Sequence, residues 1–176
     1  MEPIFDSDEE QQFYYWLVEA EEHGLLKNIK YQPRTFELSP RVAVEYTKQL
    51  KTKTKTAEHF LFHPHKYTPD FEFELTGDIL TPVFVVSKFM KSCYITVDVK
   101  GTFNKYGDPK QFSINQKWVY QKNDVYIEKV IPVKLFTKTW CPDACRFTPK
   151  KKQPVKKYIE VSTIEEFIEG VKDGRS

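Results

Sequence analysis

The sequence predicts an α/β domain in which a mixed β-sheet is flanked by helices. Residues 6–26 carry Phe13, Trp16 and Leu17 at helical spacing, with acids in the first turn and Gly24 as a stop signal. Several runs of strand character follow, and the segment KQFSINQKWVYQKN then predicts a second main helix before a further strand. Helix, several strands, helix and strand is an order typical of mixed α/β domains.

The predicted strands alternate with proline and turn residues. They are IKYQPRTFEL, broken at Pro33, the runs on either side of Pro64, and then FEFEL, PVFVVSKF, YITVDVKG and VYIEKVIPVKLF. Residues 39–55 suit either a capped helix or a strand, and their valine and threonine content favours the strand. Residues 138–157 indicate a basic loop, and STIEEFIEGVKDG indicates a short capped helix.

Length and charge predict one folded domain without a global electrostatic signature. The chain has 176 residues, of which 40% are hydrophobic and 30% charged, so disorder is not expected. Its net charge is only +2, so any nucleic-acid surface must come from local clusters. Two clusters exist, KTKTKT and KKKQPVKK, although each taken alone is as typical of a solvated surface.

Other patterns narrow the class of protein. Three cysteines and the lack of an apolar leader predict a reducing, cytoplasmic location. Cys141 and Cys145 are four residues apart and far from any histidine pair, which is a poor zinc signature. No apolar run approaches the length of a membrane span, so no membrane partner is expected.

Two carboxylates occur where strands usually avoid acids. Asp70 follows Pro69 and opens FEFEL, and Asp98 lies within YITVDVKG. Side-chain alternation puts Asp98 and Lys100 on one face of that strand and its apolar residues on the other, which we expect to face the core. Two carboxylates on adjacent strands can hold Mg²⁺, and a nearby lysine can orient water or stabilise a phosphoryl transition state. Either motif alone is more typical of a surface ion pair, but together they favour a metal site.

The motifs TPDF and VDVKG resemble the PD-(D/E)xK nuclease superfamily, in which Pro-Asp opens one strand and acid-x-Lys lies on the next. The opening SDEEQQFYYWLVEAEEHGLLKNIKYQP is similar to phage-encoded endonucleases described as Holliday-junction resolvase-like. The resemblance implies a restriction-endonuclease-like core and one nuclease domain over residues 1–176. Within it, 39–62 and 76–92 are expected to be insertions, and 138–176 a basic C-terminal segment.

The resemblance also implies the roles of the motif residues. Asp70, Asp98 and the backbone carbonyl of Val99 would hold Mg²⁺, with Mn²⁺ able to substitute. Lys100 would act on the attacking water. The first acid of the acid-x-Lys motif is aspartate here, Asp98, and the superfamily accepts aspartate as well as glutamate at this position.

A helix acid is implied as a further ligand, and it is either Glu9 or Glu10. Glu10 shares a stripe with Phe13 and Leu17, so we expect it to face the sheet and choose it. The spacing Ser7-x-x-Glu10 also fits a capping box, which requires no chemistry.

Further residues are expected near DNA, each with a solvated or structural alternative. The candidates are Gln32, Gln116, Lys117, Lys51, Lys53, Lys55, Lys151 and Lys152. His63 and His65 flank Pro64 just before the site and could help with protons, but a structural role is favoured.

These patterns predict a Mg²⁺-dependent endodeoxyribonuclease that hydrolyses phosphodiester bonds in DNA. The resemblance implies branched or junction DNA, a symmetric homodimer, and, if the gene is carried by a phage, the cytoplasm of a bacterial host. The alternative is a non-catalytic nucleic-acid-binding protein, or a partner subunit of a recombination or transposition complex, on the same fold. The joint presence of Asp70, Asp98 and Lys100 favours the enzyme.

Overall fold

The computed structural model describes residues 3–102, 109–148 and 150–174. Its elements in chain order are α1 (Asp8–Glu22), β1 (Leu26–Tyr31), β2 (Phe36–Ser39), β3 (Val42–Gln49), β4 (Thr54–Phe62), β5 (His65–Tyr67), β6 (Phe71–Leu75), α2 (Val85–Met90), β7 (Tyr94–Val99), α3 (Pro109–Asn123), β8 (Ile127–Val130), α4 (Pro132–Phe136), α5 (Asp143–Arg146) and α6 (Ile164–Lys172). Short 3₁₀ turns occupy Thr81–Val83 and Lys156–Tyr158. The predicted class, a mixed α/β fold, is confirmed.

A four-stranded mixed sheet in the order β1-β6-β7-β8 is the centre of the fold. β6 is antiparallel to both β1 and β7, whereas β8 is parallel to β7. Two parallel neighbours need a long crossover, and the segment that contains α3 provides it. Two smaller pairs stand beside this sheet, β2 with β5 and β3 with β4.

Helix α1 is stabilised both by its end caps and by the burial of its apolar stripe. Ser7 caps the N-terminus by accepting a hydrogen bond from the Glu10 amide at 3.2 Å. Phe13, Trp16 and Leu17 are fully buried in the main hydrophobic core. Gly24 then turns the chain at φ +69°, where residues with a Cβ are disfavoured.

Strand β7 is covered on both faces. Its apolar residues face the main core as predicted, but Thr96 and Asp98 are only 3% exposed. The chain also builds a second apolar cluster, which contains Phe36 of β2 and Val119 of α3. The acid face of β7 is therefore part of the interior, so Asp98 is not a surface residue.

Two predicted strand segments are partly helical. PVFVVSKF forms a 3₁₀ turn and α2 instead of a strand, because the buried carboxylate of Glu128 accepts a 2.7 Å hydrogen bond from the Val86 amide in the first turn of α2. This contact comes from 42 residues away and overrides the β-propensity of the valines. VYIEKVIPVKLF begins as β8 but becomes α4 at Pro132, a residue that suits a helix start.

The other predicted elements are found near their expected places. The ambiguous stretch 39–55 is extended and forms β3, the turn and the start of β4. The basic stretch 138–157 is mostly loop but includes α5. The last helix has the predicted capping, since Thr163 and Glu166 form a reciprocal capping box. In the described ranges, no helix has the length and apolar character needed to cross a membrane.

Trp16→Ala should strongly destabilise the fold. The Trp16 ring is fully buried, stacks on Trp140 at a centroid distance of 4.5 Å, and donates a 3.1 Å hydrogen bond to Thr139 Oγ1. We expect a loss of about 3–5 kcal/mol in the free energy of unfolding, measured by urea denaturation. Ile114→Ala is the control, because Ile114 is an apolar helix residue that is 53% exposed and should change stability by less than about 0.5 kcal/mol. Equal effects of the two substitutions would contradict this packing.

Candidate active site

The two motif acids meet where β6 begins and β7 ends. The register pairs Phe71 with Val97, so Asp70 lies across from Asp98 in the next position. The Asp70 amide donates to the Val97 carbonyl at 2.9 Å, and the Val99 amide donates to Asp70 Oδ2 at 2.6 Å. Backbone pairing therefore fixes both the main chain and the carboxylate of Asp70.

Lys100 contacts the second acid directly. Its Nζ lies 2.5 Å from Asp98 Oδ2, and its amide donates to the Val130 carbonyl at 2.8 Å. Apart from this ion pair, no donor in the described part of the chain is aligned to hydrogen-bond Asp98 Oδ2. The Tyr67 hydroxyl is buried near the same carboxylate but is not aligned for a hydrogen bond either. Lys100 is thus the one cation that the described contacts place on Asp98.

The charges in this site are unbalanced. Burial, and then the neighbouring charge of Asp98, raises the pKa of Asp70 to about 7, although the Val99 amide and Lys100 oppose the shift. Burial and the charge of Asp98 also raise the pKa of Tyr67 far above its usual value. The surroundings of these groups therefore disfavour two negative charges and favour an added cation or proton.

The predicted helix acid Glu10 is buried and close to the site, but its oxygens are engaged. They accept hydrogen bonds from Ser7 Oγ at 2.8 Å, Tyr31 Oη at 2.8 Å and the Asp6 amide at 3.3 Å. Its charge still contributes to the raised pKa of Asp70. The Glu10 carboxylate therefore binds Asp6 and the N-cap residue Ser7 at the start of α1, without the amide bond of a reciprocal capping box, and also acts electrostatically on the site.

Glu9 also approaches the site. A Cβ added to Gly101 would lie 2.8 Å from Glu9 Oε1, so the Glu9 carboxylate packs directly on the residue after Lys100. The first turn of α1 thus brings both candidate acids to the ends of the strands, and the choice between Glu9 and Glu10 stays open.

Among the described residues, no three His, Cys, Asp or Glu side chains are grouped so that they could hold a metal ion. The arrangement that the structure does show is the pair Asp70 and Asp98. The described contact of Val99 in the site is made by its amide on Asp70.

Of the residues expected to contact DNA, Gln32 is the one whose backbone touches the site. Its amide donates to the Asp70 carbonyl at 2.7 Å, and its side-chain Nε2 donates to Asp6 Oδ2 at 2.9 Å. Gln116 donates to the Ile127 carbonyl at 2.6 Å, which braces α3 against β8, while Lys117 beside it is exposed.

The predicted basic residues lie on two separate exposed segments. Lys51 and Lys53 are in the turn between β3 and β4, and Lys55 is the second residue of β4. Lys151 and Lys152 lie in the turn enclosed by the bridge between Phe147 and Pro154.

The two histidines differ in their surroundings. His65 Nε2 lies 2.8 Å from Asn115 Oδ1, and its ring stacks on Trp118 at 5.5 Å, which is the structural role favoured by the sequence. His63 is exposed, with its ring 4.6 Å from that of Phe60.

Sequence reasoning missed two residues of the site. Tyr67 belongs to β5, a strand of three residues whose pairing with β2 places it beside Asp98. Arg34 forms an ion pair with the buried carboxylate of Glu72, two residues after Asp70 on the same strand face. The position of Tyr67, three residues before Asp70, was the one signal for it, and the sequence held none for Arg34.

Comparison of the chain with models of protein families, with curated proteins and with solved structures gives no significant match.

Asp70→Asn should stabilise the metal-free protein at neutral pH. The folded-state pKa of Asp70 lies above its ordinary value of 3.8, so its ionisation costs stability as pH rises from about 4 to about 7. In EDTA, the free energy of unfolding of the variant should rise relative to that of the wild type over that range, by on the order of 4 kcal/mol at pH 8, and should match it at pH 4. Urea denaturation at several pH values measures the difference.

Asp78→Asn is the matched control, because Asp78 is exposed in a loop and should show no such trend. If the stability difference between Asp70→Asn and wild type were independent of pH, the described environment of Asp70 would be wrong.

Proposed function

We propose that the protein is a divalent-metal-dependent DNA endonuclease with its centre at Asp70, Asp98 and Lys100. The observation that carries the proposal is the meeting of two carboxylates on adjacent strands, with the Lys100 ammonium on one of them. Placing two acids together in the interior costs stability. A cation bound between the two acids would offset that cost.

The topology supports a restriction-endonuclease-like core for this proposal. The central sheet has three antiparallel strands, β1, β6 and β7, and a fourth, β8, that is parallel to β7. Helix α1 precedes the first strand in the chain, and α3 lies between the third and the fourth. Pro69 and Asp70 stand at the start of the second of these strands, and Asp98, Val99 and Lys100 at the end of the third. These are the positions expected of the Pro-Asp and acid-x-Lys motifs.

The donor set fits a hard cation in part. Carboxylate oxygens are the ligands that Mg²⁺ prefers, and Mg²⁺ usually keeps several waters when one or two carboxylates bind it. Asp70 and Asp98 would hold the ion, and the Val99 carbonyl with Glu10 or Glu9 are the proposed additions. Mn²⁺ should substitute, since the same oxygen ligands suit it. When bound, such an ion stabilises negative charge on the phosphate and makes a bound water more acidic.

The residues of the chain have separable tasks in this mechanism. The Val99 amide orients the Asp70 carboxylate, and Gln32 holds the Asp70 carbonyl. Lys100 is partly exposed, so its ammonium can reach from Asp98 toward a phosphate oxygen or the attacking water. Hydrolysis adds the water oxygen to phosphorus and breaks the bond to the leaving sugar oxygen, which takes up a proton. Lys100 stabilises the charge that develops on the phosphate.

Branched or junction DNA is the proposed substrate, on the strength of the resemblance of the first 33 residues. A four-way junction presents two related strands, which a symmetric homodimer matches. The second candidate function is a non-catalytic DNA-binding or partner subunit. It is favoured by the finding that no three metal-ligating side chains are grouped in the described ranges.

A cleavage assay separates the two functions. The protein is incubated with linear, single-stranded, flap or four-way junction DNA in the presence of Mg²⁺, Mn²⁺ or EDTA. The nuclease should cut at least one of them with either ion and none with EDTA. The order of preference among the four identifies the substrate.

Asp70→Asn and Asp98→Asn should each lower the cleavage rate by at least about a hundredfold, because each removes a charged ligand without changing shape. Each should also abolish the increase in melting temperature that Mn²⁺ gives the wild type, a readout that does not depend on cleavage.

Glu74→Gln is the control for this pair. It lies on the same strand face as Asp70 but pairs with Lys27, away from the site, and should keep both properties. Full Mg²⁺-dependent activity in either aspartate variant would refute the proposed centre.

Lys100→Ala should lower the single-turnover cleavage rate by orders of magnitude while changing the DNA dissociation constant much less. This split is expected of a group that acts mainly on the transition state. Lys100→Arg should rescue poorly, because a planar guanidinium does not replace a compact ammonium. Lys88→Ala is the control, because Lys88 is an exposed residue of α2 outside the site. A loss of binding in proportion to the loss of rate would make Lys100 a phosphate clamp only.

A further inference from the structure

The paired strands β3 and β4 form an arm, residues Val42–Phe62, that is not built around a core. Eight register pairs join the two strands, from Val42 with Phe62 to Gln49 with Thr54. Most of its side chains are exposed, on both faces of the pair. Neither hydrophobic cluster of the described chain includes a residue of the arm. Packing therefore does not explain why the chain keeps this ribbon.

The end of the arm carries an unbalanced positive charge. Lys48 and Lys55 are direct register partners, an arrangement that is destabilising for like charges. Lys51 and Lys53 lie in the turn between them. Among the described residues, none of these four lysines forms an ion pair, whereas Arg41 at the base pairs with Glu58. The four charges are thus free for an anionic partner.

The residues between the lysines fit a phosphate backbone. Thr47, Thr52, Thr54 and Thr56 alternate with the lysines at the same end of the arm. Threonine hydroxyls and lysine ammonium groups are common donors to DNA phosphates. The nearest acids on the arm are Glu45 and Glu58, which face each other further from the turn.

The arm is joined to the candidate active site through a short connection. β4 is followed by β5, which pairs with β2, and Asp70 comes three residues after β5. Strand β3 has eight residues, so the arm reaches about 27 Å from its base. That distance corresponds to about eight base pairs of B-DNA.

A two-stranded ribbon also has a width that the major groove of DNA admits. We infer that the β3–β4 arm binds duplex DNA about eight base pairs from the scissile bond, with its lysine tip on the phosphates beside one groove. The distance from a scissile bond rests on the proposed endonuclease function. The binding of DNA by the arm does not, and it can be tested alone.

A second copy of the chain is the rival partner, because Phe60, Leu61 and Phe62 near the base are partly exposed. The charge favours DNA, since two lysine tips of identical chains would repel each other. Oligomeric state is therefore measured together with DNA binding.

The test compares Lys51→Gln/Lys53→Gln/Lys55→Gln with the wild type in EDTA, where cleavage is absent. All three positions are exposed, so the fold should be unaffected. The dissociation constant is measured for duplexes of 24 and 8 base pairs over a range of salt. The control is Lys27→Gln/Lys88→Gln/Lys91→Gln, which removes the same charge from exposed sites at the opposite end of the sheet.

We expect the arm variant to bind the 24-base-pair duplex at least tenfold more weakly. Its salt slope should fall by about 0.9 for each phosphate that the protein no longer neutralises, or about 2.7 for three phosphates. The 8-base-pair duplex and the control variant should show little change. An unchanged salt slope, an equal loss of affinity in the control, or a loss of dimer in sedimentation without a change in DNA binding would each overturn the inference.

Failure of the nuclease proposal would be visible separately, as wild-type protein that binds the long duplex through the arm but cleaves none of the DNA substrates with Mg²⁺ or Mn²⁺.

Discussion

The hydrogen-bonded pairing of β6 with β7 is the constraint on which the site depends. It brings the half-buried Asp70 opposite the buried Asp98, although the two carboxylates repel each other. The bonds that hold them come from neighbouring strands, because Gln32 after β1 binds the Asp70 carbonyl and Val130 of β8 binds the Lys100 amide. Favourable burial of the apolar side chains on the other face of the same strands offsets the cost of the acids.

Helix α1 links this centre to the core. One stripe, which includes Phe13 and Trp16, packs into the main cluster, and the first turn carries Glu9 and Glu10 to the strand ends. Glu10 holds the N-terminus of the helix and adds negative charge near Asp70. One side chain therefore both accepts hydrogen bonds at the start of the helix and adds charge to the site, and its role as a metal ligand stays a prediction.

Elements set by local pattern were predictable, and those set by distant contacts were not. The apolar stripe of α1, the side-chain alternation of β7 and the capping of α6 each depend on residues that are close together in the sequence. The helix α2 depends on Glu128, 42 residues away, so its valines predicted a strand. The surroundings of Asp98 on the acid face of β7 include Tyr67, which arrives from a separate strand pair. The proximity of Asp70, Asp98 and Lys100 was predictable because their motif spans paired strands, whereas Tyr67 has no such pattern.

We propose that the pair Asp70 and Asp98 binds a divalent cation. Anomalous diffraction from crystals of the wild-type protein soaked in MnCl₂ tests it most directly, because Mn²⁺ scatters anomalously and suits the same oxygen ligands. The account predicts a peak within bonding distance of both carboxylates, and its absence in Asp98→Asn crystals treated in the same way. Manganese bound only elsewhere, or no peak between the two aspartates at saturating manganese, would contradict the account.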